Sequence, residues 1–167
     1  MKKVIYFDQI INAGNNDNYS IEQKALYAGY NTGNIVYVEA LKEELKVEET
    51  LWFGNERIEE LDAKECVGVL PCANMIGLFD YGCTERWCEY IKKVPFPVVL
   101  IGIGAQSSGE YNTPSKLMKA MPEEKKYALR EMFERIVSGG VRGEFTAECL
   151  ELIGIKNYRV VGCPSLY

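Results

Sequence analysis

Arg142 is the residue whose type and position most directly indicate chemistry. It ends a short apolar segment and directly precedes residues 143–146, where the pattern of a new helix begins. A guanidinium at such a place can hold a carboxylate or a phosphate through two parallel hydrogen bonds, beside the positive end of a helix. Chemistry alone equally allows a surface ion pair with Glu144 or Glu148. We therefore treat Arg142 as a candidate anion-binding residue, with the ion pair as its alternative.

Asn31, Thr32, Gly33 and Asn34 form a second candidate anion site, where a long polar loop runs into a predicted helix. Backbone N–H groups at a helix N-terminus can point at a bound anion, and the helix dipole favours negative charge there. Ordinary capping by Asn31 or Thr32 explains the same residues without any ligand. Both interpretations stay open.

Gly102, Gly104 and Gln106 follow the most apolar segment of the chain, and the glycines would let a ligand approach the backbone closely. Ser107 stands where a dinucleotide-binding fingerprint has its third glycine, and no similar motif follows the first predicted strand. We therefore expect a turn that lines a cleft rather than a nicotinamide site. Gly104 and Gln106 remain substrate-binding candidates, and no cofactor is expected.

Asp80, beside Tyr81, is the last candidate. The two residues lie in a loop predicted at the same end of the sheet, where they could bind sugar hydroxyls. A turn acid that caps the following helix is the alternative.

A scaffold for these residues is predicted by the alternation of apolar runs with amphipathic segments. This alternation is typical of an α/β fold with a doubly wound, Rossmann-like parallel sheet. Residues 98–101 are apolar on both faces, as expected for a central strand covered by helices on each side. Ligands bind such sheets beyond the carboxyl ends of the strands, so the loops after residues 8, 70 and 103 should share one rim. The predicted strands are 3–8, 49–53, 66–70, 97–103, 140–142 and 158–161.

Helices are predicted where apolar residues recur at helical spacing. Two such sets are Ile35, Val38, Leu41 and Leu45, and then Leu129, Phe133, Ile136 and Val137. A third helix would carry Phe145, Cys149, Leu152 and Ile153, and it should end at Gly154 in a left-handed conformation. A shorter helix is expected over 85–91, and a long loop over 9–31.

Composition limits the classes of partner. A net charge of −5 with a pI near 5.0 argues against nucleic acid, which needs clustered cations. No apolar run approaches the ~18 residues of a membrane span, and the start of the chain does not resemble a signal peptide. We expect one cytoplasmic domain over residues 1–167. The six cysteines match no disulfide framework and the chain has no histidine, so buried thiols without a structural metal are expected.

Three segments toward the end of the chain, residues 140–150, 152–155 and 161–166, read GVRGEFTAECL, LIGI and VGCPSL. Together they closely resemble the polysaccharide pyruvyl transferase family. Residues 31–34, with 38–41 behind them, and residues 101–106 look like earlier landmarks of that family in the same order. The resemblance covers most of the chain.

The resemblance implies the N-terminal lobe of a GT-B-type fold, in which two Rossmann-like lobes face each other across a cleft. Family members are transferases of exopolysaccharide biosynthesis, which move a pyruvyl group from phosphoenolpyruvate to sugar hydroxyls as a ketal. Phosphoenolpyruvate carries a carboxylate and a phosphate. The resemblance therefore implies that Arg142 grips the donor and stabilises the departing phosphate.

The sequence departs from the family in two respects. It contains no histidine, and it ends at Tyr167, where relatives would enter a second lobe. Proton transfer needs a positioned acid and base, and this half offers no evident one. Three possibilities stay open: half of a pyruvyl transferase that is inactive alone, a noncatalytic sugar- or anion-binding module, and a regulatory partner of a full enzyme. Besides phosphoenolpyruvate and a sugar or polysaccharide precursor, a separate C-terminal lobe or a second copy is an expected partner.

Overall fold

The computed structural model describes residues 3–8, 19–47, 49–52, 56–78 and 84–166. Among these residues, no helix combines the length and apolar character that a bilayer span requires. The strands are β1 Lys3–Asp8, β2 Glu49–Trp52, β3 Cys66–Pro71, β4 Val98–Ile103, β5 Ser138–Val141 and β6 Tyr158–Val160. The α-helices are α1 Ile21–Tyr27, α2 Thr32–Leu45, α3 Thr84–Lys93, α4 Pro114–Ala120, α5 Glu123–Arg135 and α6 Glu144–Leu152. Short 3-10 helices cover Glu56–Glu60, Gly109–Tyr111 and Pro164–Leu166.

The strands form one parallel sheet in the order β2-β1-β3-β4-β5-β6. The chain adds β2 on one side of β1 and then β3 to β6 on the other, so the winding reverses between β1 and β3. This arrangement confirms the α/β, doubly wound and Rossmann-like prediction. It also confirms that residues 98–101 lie in an interior strand, paired with β3 and β5.

Helices cover the two faces of the sheet unequally. On one face, α3 to α6 pack on apolar side chains of β1, β3, β4 and β5. On the other face, α2 packs Tyr37 and Val38 over Tyr6 of β1 and Val69 of β3. Right-handed crossovers from β3 through β6 all place their helices on the first face. The prediction that β4 is covered on both sides therefore holds only in part: Val98 and Leu100 are buried on the first face, while Val99 and Ile101 on the other face stay partly exposed.

Local predictions agree in part. The predicted helices correspond to α2, α3, α5 and α6, and Gly154 is left-handed with φ 82°. Helix α5 ends at Arg135, so the prediction was wrong for Ile136 and Val137, which lie beyond it, and Val137 is exposed. The predicted loop 9–31 was wrong in its second half, since α1 lies there; residues 9–18 are outside the described residues. Helix α4 was not predicted. In α6, Leu152 is exposed because the buried face carries the small residues Thr146 and Ala147, which an apolar count does not weight.

Gly102 interrupts the regular geometry of β4. The register with β5 shifts between Ile101 and Ile103, and Gly102 has φ 84°. A Cβ on Gly102 would lie 2.8 Å from the backbone oxygen of Cys72, closer than real contacts allow. Both the left-handed backbone and the close approach of the neighbouring strand therefore require glycine here.

We expect Gly102→Ala to lower the free energy of unfolding more than Gly154→Ala does. Both positions are left-handed, at φ 84° and 82°, but a Cβ on Gly154 would meet nothing within 4 Å. The conformation alone should cost about 1–2 kcal/mol at Gly154, and the contact with Cys72 should add at least about 1 kcal/mol at Gly102. Urea unfolding of both variants measures the difference. Equal losses would mean that the approach of Cys72 is not a constraint.

Candidate functional site

Backbone hydrogen bonds join the carboxyl ends of β3 and β4. The Gly104 N–H donates to the Ala73 oxygen at 2.9 Å, and the Ile76 N–H donates to the Gly104 oxygen at 3.1 Å. The Gln106 N–H then donates to the Ile76 oxygen at 2.7 Å. This braced edge of the sheet, formed by residues 72–76, 104–106 and 142, is called the rim below.

The same rim is fixed to β5 and α6. The Arg142 N–H donates to the Ile103 oxygen at 2.8 Å, which continues the pairing of β4 with β5 beyond the strand end. The hydroxyl of Thr146, a buried residue of α6, accepts a hydrogen bond from the Ala105 N–H at 2.9 Å. Backbone and side-chain contacts thus hold three strand ends and one helix in a single arrangement.

The side chain of Arg142 crosses the rim from β5 toward the β1/β3 reversal. Its Cδ lies 3.4 Å from where a Cβ on Gly104 would be, and its guanidinium carbon lies 5.4 Å from the ring centroid of Tyr37. Tyr37 belongs to α2, which packs over β1 and β3. Open α/β sheets bind their ligands at such a reversal. The positive charge of Arg142 therefore lies toward the part of the sheet where proteins of this fold class form a binding cleft.

The guanidinium of Arg142 is incompletely paired. Its Nε is buried, and none of the residues that the structure describes forms a hydrogen bond with it. Glu144 and Glu148, the alternative partners considered from the sequence, are exposed on α6, and no ion pair joins either of them to Arg142. An unpaired buried donor costs about 1–3 kcal/mol, and a cation over an aromatic ring recovers about 0.5–2 kcal/mol of that. A bound anion is the chemical group that would complete the site.

The side chain of Arg142 points in a different direction from the one that the sequence predicted. We expected Arg142 to act beside the N-terminus of α6, but its guanidinium stacks on Tyr37 of α2, which covers the opposite face of the sheet. The physical reason is the space above Gly104, which lacks a side chain and lets the arginine pass over the end of β4.

Asn31 and Gly33 serve as the helix cap that the sequence allowed as the alternative. The side-chain oxygen of Asn31 accepts a hydrogen bond from the Gly33 N–H at 3.0 Å, and its backbone oxygen accepts one from the Asn34 N–H at 3.0 Å. The side-chain amide of Asn34 also donates to the Ala28 oxygen at 3.0 Å. These bonds engage the backbone N–H groups of Gly33 and Asn34 in the first turn of α2. The cap fixes the start of α2 about one turn before Tyr37. It therefore contributes to the rim by positioning Tyr37.

The remaining predicted site residues are Gly104, Gln106 and Asp80. Gly104 is buried at the centre of the rim, and a Cβ there would lie 3.1 Å from the Asn74 side-chain oxygen as well as against Arg142. Gln106 is exposed, and the described contacts of this residue are to Ile76 and Gly77, not to Arg142. Asp80 lies outside the described residues.

Three further residues belong to this region: Tyr37, Asn74 and Cys163. Tyr37 was not among the residues predicted for the buried face of α2; it precedes Leu41 by four residues, a helical spacing that could have indicated burial but gives no sign of a cation above the ring. Asn74 follows β3 and could have been suspected only from its position after a strand. Cys163 lies beyond β6, in a segment that carried the family resemblance.

Cys163 and Cys72 both lie within the electrostatic influence of Arg142. Partial burial raises the pKa of the Cys163 thiol, but hydrogen bonding to the Ser165 side chain and backbone and the charge of Arg142 outweigh it, so the net pKa is lowered. The pKa of Cys72 is raised, because its complete burial outweighs the same charge. All five described cysteines are free thiols. No group of three or more metal-binding side chains occurs within the described residues.

Comparisons with protein families, curated proteins and solved structures find no match for this chain. These comparisons therefore show no family for the chain, and they add nothing to the fold class or the geometry of the rim. Function has to be inferred from the chemistry that Arg142 and its surroundings can perform.

We expect Thr146→Val to destabilise the fold by about 1 kcal/mol or more, because the Ala105 N–H loses its acceptor. Thr146→Ser keeps the hydroxyl and should cost less. Unfolding in denaturant measures both variants. If serine and valine are equally destabilising, packing rather than the hydrogen bond accounts for Thr146.

We also expect Cys163 to be alkylated at lower pH than an ordinary thiol, because thiolate is the reacting form and its pKa is lowered. Arg142→Met should move the alkylation profile of Cys163 to higher pH, since the variant lacks the stabilising charge. Peptide-resolved mass spectrometry after iodoacetamide treatment across a pH series follows each cysteine separately. An unchanged Cys163 profile in Arg142→Met would remove the electrostatic link between them.

Proposed function

We propose that this chain is a pyruvyl transferase-like lobe that binds phosphoenolpyruvate through Arg142, for transfer of the pyruvyl group to a sugar as a ketal. The observation that carries the proposal is a guanidinium with a buried, unpartnered Nε, stacked on Tyr37 at the carboxyl edge of the sheet. An arginine in this state is suited to a ligand with two anionic groups. The resemblance of residues 140–150 and 161–166 to the family supplies the identity of that ligand.

The proposed reaction gives this chain a limited role. Two sugar hydroxyl groups lose their protons as their oxygens bond to C2 of phosphoenolpyruvate. One proton goes to C3, and phosphate leaves with the electron pair of the C2–O bond and with the other proton. The charge of Arg142 would hold the donor and stabilise the phosphate as it departs. The chain has no histidine, and within the described residues no carboxylate pairs with Arg142. Proton transfer is therefore assigned to groups outside this rim.

A noncatalytic anion-binding module is the second candidate. It is favoured by the lack, within the described residues, of a carboxylate or histidine paired with the guanidinium, because binding alone needs neither. A regulatory subunit that senses a phosphorylated carboxylate would use Arg142 and Tyr37 in the same way. Both candidates would bind the same class of ligand, but only the transferase would convert it to product.

Arg142→Met should weaken phosphoenolpyruvate binding by about tenfold or more, because charged hydrogen bonds contribute about 1.5–3 kcal/mol. Arg142→Lys should bind at an intermediate level, since it keeps the charge and loses the planar fork. Arg135→Met is the matched control, because Arg135 is an exposed arginine at the end of α5. Isothermal titration calorimetry of the folded variants measures the affinities.

Unchanged affinity in a folded Arg142→Met protein would contradict the proposed site. Turnover separates the two candidates once binding is established. Phosphate release from phosphoenolpyruvate that depends on an acceptor sugar, with this chain alone or with an added second lobe, supports the transferase. Binding without turnover in either case favours the noncatalytic module.

A further inference from the structure

The face of the sheet beyond α2 carries apolar side chains that the described residues leave partly uncovered. Val99 and Ile101 of β4 are only partly buried, although their strand has the unbroken apolar run typical of two-sided burial. Val161, just after β6, is exposed on the same side and reaches over β5, since its Cγ2 would lie 2.9 Å from a Cβ on Gly140. Parallel sheets are normally covered by helices on both faces.

This uncovered surface forms a groove with a volume of about 740 Å³. Leu41 of α2 borders one side, and Val161 borders the other. Ser138 and Gly140 of β5 lie between them. The residues with the smallest side chains thus lie along the middle of the groove.

The dimensions of the groove match one helix. Packed helices lie about 8–10 Å apart, and neighbouring strands lie about 4.8 Å apart, so a helix beside α2 would sit about two strands further along the sheet. Since α2 packs over β1 and β3 and touches Ile101 of β4, that position lies over β5. Ser138 and Gly140 would allow a helix to approach the sheet closely there.

The charges at the groove favour an acidic occupant. Lys156 and Arg159 line it and are exposed, and none of the described residues that line it is acidic. Within the part of the chain that the structure describes, neither cation forms an ion pair. This local positive charge contrasts with the net charge of −5 of the whole chain.

We propose that this groove docks an amphipathic helix of a partner polypeptide, with an apolar stripe over Ser138 and Gly140 and acidic side chains toward Lys156 and Arg159. Coverage by such a helix would complete the second layer over β4, β5 and β6. The docking surface uses none of the side chains that hold the Arg142 guanidinium, so it does not depend on the proposed ligand. It also differs from the apolar face that α3 to α6 already cover.

The test uses the full chain and two synthetic helical peptides of about 18 residues with leucines at the i, i+3, i+4 and i+7 positions. One peptide carries glutamates beside the leucine stripe, and the other carries lysines at the same positions. We expect the acidic peptide to bind about tenfold more tightly than the basic one, because Lys156 and Arg159 at the groove discriminate between them. Methyl NMR should show the largest shifts at Val99, Ile101 and Val161.

Charge reversal provides the matched variant. The Lys156→Glu/Arg159→Glu protein should prefer the basic peptide, whereas Lys119→Glu/Arg135→Glu, which changes two exposed cations outside the groove, should keep the preference for the acidic one. Both variants change the net charge equally. The comparison therefore separates local complementarity from overall charge.

Several results would overturn the proposal. Equal affinity of the wild-type chain for both peptides, no binding of either, or methyl shifts away from the groove would each exclude an acidic helix as its occupant. Dimerisation of the chain that Arg159→Glu abolishes in analytical ultracentrifugation would show that a second copy occupies the groove instead.

Discussion

The left-handed backbone at Gly102 is the constraint on which the rim depends. It lets β4 change register against β5 while the Cys72 carbonyl approaches closely from β3. From this point the backbone bonds of Gly104 and Arg142 fasten β4 to both neighbours beyond their regular pairing. A side chain at Gly102 would force these strand ends apart. The position of the arginine is therefore a consequence of backbone geometry in the preceding strand.

Arg142 is held in a state that stability alone does not explain. Its Nε is buried without a hydrogen-bond partner among the described residues, and the ring of Tyr37 offsets only part of that cost. A nearby carboxylate would have satisfied the charge within the fold, yet Glu144 and Glu148 remain exposed on α6. Functional sites commonly retain such incomplete pairing, because the ligand supplies the missing interaction. The lowered pKa of Cys163 is a second effect to which the same uncompensated charge contributes.

Periodicity predicted those parts of the fold in which burial decides the structure. The apolar run 98–101 identified an interior strand, and the spacing of Val38 and Leu41 identified α2. The candidate site was predicted less completely. Arg142 was identified from its place after a strand, but its direction depends on the missing side chain of Gly104, a contact between distant segments that no local pattern encodes. The prediction that Leu152 lies on the buried face of α6 was wrong for a related reason, because the helices around α6 determine which of its faces is buried.

The central claim is that the half-buried guanidinium of Arg142, whose Nε is shielded from solvent, binds an anion, and the ¹H–¹⁵N resonance of its Nε–H tests this directly. The resonance can be assigned by its loss in Arg142→Met. Because the Nε is shielded from solvent, we predict a slowly exchanging signal in the free protein that shifts saturably as phosphoenolpyruvate is added. A signal already broadened by rapid exchange with water, or one that saturating phosphoenolpyruvate leaves unmoved, would contradict the account.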